Sequence, residues 1–163
     1  MTLVVATTLF LLAACSKDSA APPAPSSAIK GYPQAELRIA RRGQQVAVFR
    51  VDIAETDERR ALGLMNVKTL RQGSGVVFLF PSETNVPFHM KDTLVPLDIA
   101  FWGSDGRIID ILQMTPCTAA PCQTYQSSAA FVGALEVNKG DLVDEGVVTG
   151  DVISLRRLDR QGS

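Results

Sequence analysis

The run Val76-Val77-Phe78-Leu79-Phe80, bounded by Gly75 and Pro81, limits what this chain can fold into more than any other feature. Five large apolar residues in a row are too few for an amphipathic helix, and they match a strand covered on both faces. Such a strand needs neighbours in its own sheet and apolar layers above and below it. The rest of the chain supplies them mostly as further strands. From Ala35 apolar and polar residues alternate, and Leu37, Ile39, Val46, Val48, Val51 and Ile53 predict two strands joined at Arg42-Gly43-Gln44. Residues 97–102 and 107–114 flank Gly103-Ser104-Asp105-Gly106, whose Asp-Gly pair offers the positive φ values of a tight hairpin. Residues 130–137 and 151–157 read as closing strands.

Helix is scarce. Thr56 is a fitting N-cap, Asp57 and Glu58 suit the positive end of a helix dipole, and Gly63 closes the segment. One more helical turn is expected around residues 141–145. The pattern predicts a mainly β domain of seven or eight strands, a compact sandwich or barrel-like unit with one or two short helices, over residues 35–158. With 163 residues the chain has room for one such domain, and residues 159–163 form a tail.

The N-terminal residues read as an address. Residues 3–14 are almost wholly apolar or small, too short at about 12 residues for a hydrocarbon core that needs roughly 20, but of signal-peptide length. The run ends in Leu12-Ala13-Ala14-Cys15, which resembles the bacterial lipobox. Cys15 would then carry the lipid, anchor the protein to a membrane through its acyl chains, and place it at the outer face of a bacterial membrane in the cell envelope. The opening Met1-Thr2-Leu3 lacks the Lys or Arg of a signal peptide, so the true start is expected upstream. The competing reading makes residues 3–14 an element of the folded domain and Cys15 an ordinary buried thiol. Residues 16–34 begin with a Ser, Ala and Pro-rich stretch free of large apolar residues and read as a disordered tether. Cys117 and Cys122, separated by four residues in a segment that also holds Pro116 and Pro121, are expected to form a structural disulfide in an oxidising envelope. A thioredoxin-like centre would have two intervening residues.

Glu58-Arg59-Arg60-Ala61-Leu62-Gly63-Leu64-Met65, then Val77-Phe78-Leu79-Phe80, then Phe88-His89-Met90-Lys91-Asp92-Thr93-Leu94-Val95-Pro96-Leu97-Asp98-Ile99-Ala100-Phe101, resemble domain of unknown function 192 in order and spacing. Asp105-Gly106-Arg107-Ile108-Ile109, Tyr125, Ala134-Leu135-Glu136 and Gly150-Asp151 extend the resemblance over roughly residues 35–157. It implies a compact, mostly β fold resembling a jelly roll, and it carries no activity. The chain departs from the common pattern at His89, where Trp is typical, and at Asp92, where Asn is typical.

The densest polar group is His89-Met90-Lys91-Asp92-Thr93. If extended, it sets His89, Lys91 and Thr93 on one face, a patch for an anion or polar ligand. The competing reading pairs Lys91 and Asp92 with charges such as Glu58 or Arg59. Together with Arg59 and Asp98, these residues make the candidate ligand site: Arg59, His89, Lys91, Asp92, Thr93 and Asp98. With one histidine the chain offers no zinc set, and Gly-x-Ser-x-Gly is absent. Asp98 and Asp105 could pair with Asp110 or Glu136 as acid and base on a glycoside. Sixteen Lys and Arg against seventeen Asp and Glu leave a net charge of -1 and no basic stripe for nucleic acid. The leading expectation is a non-enzymatic binding or interaction module, without cofactor or metal, that uses the surface around residues 58–60 and 88–98 for a glycan, peptide or small polar ligand. A carboxylate-dependent glycan hydrolase of the envelope and a structural or assembly factor are the alternatives.

Overall fold

The computed structural model describes residue 29 and residues 31–158. The apolar run of residues 3–14, Cys15, most of the proposed tether and the tail 159–163 lie outside the described residues. The elements in order are β1 (Gln34–Arg41), β2 (Gln44–Ala54), α1 (Asp57–Leu62), β3 (Ser74–Thr84), β4 (Phe88–His89), β5 (Leu97–Trp102), β6 (Ile108–Met114), β7 (Thr124–Tyr125), β8 (Phe131–Asn138), α2 (Asp141–Asp144) and β9 (Val152–Leu158). The protein is mainly β, as the alternation predicts. Seven strands form one sheet in the order β6-β5-β8-β3-β2-β1-β9, and the two-residue strands β4 and β7 pair separately. These two short strands bring the total among the described residues to nine, above the expected seven or eight.

The apolar run that limits the fold occupies the middle of the sheet. β3 pairs parallel with β2 and antiparallel with β8, while the other pairings in the sheet are antiparallel. Both faces of β3 are covered because side chains alternate along a strand. Val77 joins Leu37, Ile39, Phe49, Val51 and Leu135 in one apolar cluster. Val76 and Phe78 join Ile99, Phe101, Phe131 and Ala134 in a second on the opposite face, roofed by Leu64, Met90 and Tyr125. Each fully buried side chain of this size contributes about 1.5–3 kcal/mol, so the two clusters dominate the stability.

The seven-stranded sheet is curled, with no closed barrel among the described residues. Its edge strands meet only at one end, where Arg107 bridges to Val152. There the Ile108 N–H donates to the Asp151 carbonyl at 2.9 Å and the Ile153 N–H to the Gly106 carbonyl at 2.8 Å. Arg41 reinforces this corner by donating to both carboxylate oxygens of Asp151 at 2.7 and 2.8 Å. On the inner face Trp102 lies directly over its cross-strand partner Gly133. A Cβ at Gly133 would come within 2.1 Å of the indole, so only glycine lets the ring lie flat on β8.

Cys117 and Cys122 are disulfide-bonded, with Cα atoms 5.8 Å apart. The bonded loop supports the turn after β4: the Asp92 N–H donates to the Cys117 carbonyl at 3.0 Å, and the Cys117 N–H donates to the Met90 carbonyl at 3.2 Å. That turn forms one side of the site described next.

Candidate functional site

A cleft of about 520 Å³ opens between α1, the far end of β3 and β4. Its position follows from how α1 ends. The Thr56 side chain caps the helix by accepting from the Arg59 N–H at 3.3 Å, and Gly63 terminates it at φ 46°. A Cβ at position 63 would lie 3.1 Å from the Phe78 ring. Glycine therefore lets the helix terminus settle onto the apolar floor, which is built from Leu64, Phe78, Phe80 and Phe88. Phe88 packs edge-on against Phe78 and Phe101, with centroids 5.0 and 5.4 Å apart.

Arg60 forms one wall. Its guanidinium donates to the Glu55 and Leu79 carbonyls, each at 2.7 Å, and to the Asp57 carboxylate at 2.5 Å, and it lies 5.1 Å from the Phe80 centroid. These bonds tie α1 to the strand ends and commit most of its donors. Glu83, also lining the cleft, accepts from the Ser104 hydroxyl at 2.9 Å.

The unusual group is Glu136. It sits in the middle of β8, opposite Val76 on one neighbour and Ile99 on the other, and its side chain reaches the cleft. The residue is 5% exposed, its carboxyl group opens on the cleft rather than being enclosed, and no hydrogen bond from the described residues offsets its burial. Burial without a partner pushes its pKa up to about 8. At neutral pH the group is therefore mainly protonated, an O–H donor facing an aromatic cleft. The Thr93 hydroxyl, on a residue 5% exposed, lines the same space.

Of the six residues picked out in the sequence, the cleft gathers His89, at its exposed edge, and Thr93. The other four lie elsewhere. The extended arrangement expected for residues 89–93 does not form, because β4 ends at His89 and the Thr93 N–H closes a turn onto the Met90 carbonyl at 3.1 Å. Asp92 takes a left-handed φ of 55° within that turn, and Lys91, exposed beside Cys117, is not among the residues that line the cleft. That conformation also explains the Asp in place of Asn, since both side chains tolerate it. Arg59 lies on the outer side of α1, 5.1 Å over the Tyr32 ring. Asp98 is on the opposite face of the sheet from Glu136. There its Oδ2 accepts from the Gly140 N–H at 2.9 Å, Oδ1 is buried without a partner among the described residues, and burial raises its pKa.

Sequence reasoning includes Arg60 and Phe88 only within the broad surface at residues 58–60 and 88–98, does not pick out Leu64, Phe78 or Phe80 as a floor, and weighs Glu136 only as one member of a carboxylate pair. The available signal is a charged residue within Ala134-Leu135-Glu136-Val137, a strand apolar on both faces. Among the described residues, no cluster of three or more His, Cys, Asp or Glu side chains could hold a metal ion.

A family model described as DUF192, Uncharacterized ACR, matches residues 38–155. A UPF0127 protein from Thermococcus kodakarensis is 31% identical over 102 residues, covering 58% of this chain and 63% of the relative. The chain thus spans less than two thirds of that curated relative's length. A crystal structure of a protein of unknown function from Novosphingobium aromaticivorans matches with a TM-score of 0.72 and 28% identity, over 83% of this chain and 94% of that one. A candidate transcription regulator from Sinorhizobium meliloti matches with a TM-score of 0.69 and 28% identity, over 76% of this chain and 95% of that one.

Proposed function

The chain belongs to the DUF192 family, and from that premise we propose that it is a non-enzymatic binding module that takes a small polar ligand, a glycan or peptide fragment among them, into the cleft over Glu136. The observation that carries this reading is the buried carboxyl group with no partner among the described residues, opening on a cleft whose floor is aromatic. A buried polar group without a partner costs stability, and a concave apolar site with a few convergent polar groups is the usual form of a ligand pocket. Hydrolysis of a glycan is less well supported, because it needs a second carboxylate free to act beside the first. Asp57 is held by Arg60 and Glu83 by Ser104.

The test is a two-dimensional NMR titration of the full-length chain with saccharides, short peptides and small amines, alcohols and acids at millimolar concentration. Shifts are expected at the amides of Leu64, Phe78, Phe88, Thr93 and Glu136. Silence at these positions across the whole panel, or shifts confined to another surface, overturns the binding reading.

We also propose that the domain is held at the outer face of a bacterial membrane through a lipid on Cys15, on the strength of Leu12-Ala13-Ala14-Cys15 after an apolar run. Cells expressing the full chain are expected to incorporate labelled palmitate into it, and Cys15→Ser is expected to abolish the label and release the protein from the membrane fraction. A chain that stays unlabelled in its parent form removes the anchor.

A further inference from the structure

Resting on the reading of the cleft as a ligand site, we propose that the ligand carries a primary ammonium group, which seats against the Glu136 carboxyl among the rings of Phe78, Phe80 and Phe88. The chemistry follows from what the cleft lacks. Its lining holds three carboxyl groups, those of Asp57, Glu83 and Glu136, against the single guanidinium of Arg60. α1 contributes Asp57 and Arg60, which neutralise each other, and the end of β3 contributes Glu83. β4 contributes His89 at the exposed edge, the following turn contributes Thr93, and the residues flanking Glu136 in the sheet, Val76 and Ile99, are apolar. Among the described residues no lysine lines the cleft, so a cation for Glu136 would come from a ligand.

An anion would meet this carboxyl-rich lining with most of the Arg60 donors already committed to two carbonyls and Asp57. An alcohol could bond to the carboxyl group but would leave its charge state unchanged. An ammonium group does more: it supplies the missing opposite charge, and aromatic faces around it add cation–π attraction. The binding step is balanced by a proton. The neutral carboxyl group gives up its proton to solvent as the ammonium ion binds, and a carboxylate–ammonium pair remains.

The experiment is isothermal titration of the full-length chain with n-butylammonium, n-butanol and butyrate, from mildly acidic to alkaline pH, in buffers of differing ionisation heat. Butylammonium is expected to bind, releasing one proton per ligand below about pH 8, with an affinity that rises about tenfold per pH unit up to that point. Butanol and butyrate are expected to bind far more weakly. Glu136→Gln, a neutral variant of the same shape, is expected to abolish proton release and weaken amine binding by at least about tenfold. Equal binding of butanol or butyrate, amine binding without proton release, or an unchanged affinity in Glu136→Gln overturns the inference. If all three probes fail while other molecules shift the cleft amides, the ammonium ligand is wrong and the binding module stands. If nothing shifts those amides, both fail.

Discussion

Glu136→Gln is expected to make the protein more stable, by about 3 kcal/mol at pH 7 and on the order of 5 kcal/mol above pH 8. The gain comes from the difference between the folded and unfolded states. In the unfolded chain the carboxyl group titrates near 4.5, whereas in the fold burial pushes it up to about 8. Between these values the folded protein holds a proton that the unfolded chain has lost. The stability of the parent protein from this group is therefore fully present below about pH 4.5, falls as pH rises, and levels off above about pH 8. Glutamine has no such titration and fills nearly the same space. Urea unfolding of both proteins across this range measures the effect. The difference between them isolates Glu136 from Asp98 and Asp141, whose pKa values burial also raises. A constant difference across the range would mean that the carboxyl group is solvated in the fold. The stabilising change is also the one expected to impair ligand binding, the trade-off anticipated where a site keeps a group the core would reject.

Phe131→Ala is expected to cost about 3–5 kcal/mol. Phe131 is fully buried at the start of β8, and its ring lies 4.8 Å from that of Phe101, 5.5 Å from Phe80 and 6.2 Å from Phe88. Truncation removes the buried surface and leaves a cavity that three surrounding rings can only partly fill. Aromatic contacts of this kind add roughly 0.5–1.5 kcal/mol each beyond burial. For a domain of this size the melting temperature should fall by roughly 10 °C, a large share of the margin in a typical fold. Because Phe80 and Phe88 line the cleft and rest on Phe131, the variant should also loosen the ligand floor. Thermal unfolding followed by circular dichroism reads the first effect, and line broadening of the cleft amides reads the second. A loss below about 1 kcal/mol would show that the ring cluster collapses freely around the gap.

The two variants pull in opposite directions. Phe131 and Glu136 belong to one strand, yet one supplies the core and the other burdens it. The burden is tolerable because the whole aromatic cluster offsets it, which is consistent with a carboxyl group retained for what it binds.

Much of this was legible in the chain. Val76–Phe80 required a central strand with cover on both faces, and it became the middle of the sheet. The hairpin between β5 and β6, the Thr56 cap and the Gly63 stop also lie where local chemistry places them, because each depends on residues a few positions apart, although of the Asp105-Gly106 pair only Gly106 takes a positive φ, of 78°. The disulfide pairs the two cysteines that sit close in sequence. The candidate site was only partly legible. Alternation correctly describes strands, but β4 ends at His89, and the turn from Met90 to Thr93, with Asp92 left-handed, left Lys91 outside the cleft that His89 and Thr93 line. Asp98 and Glu136 look alike as acids embedded in apolar strands, and nothing nearby says which face each one takes. The curl of the sheet and the register of β8 between β3 and β5 made that decision. They left Asp98 beneath the Gly140 turn and Glu136 opening on the cleft. Local propensities and turn chemistry thus determined which segments are strands, while the site arose from contacts across long sequence separations, whose outcome only packing of the whole chain could decide.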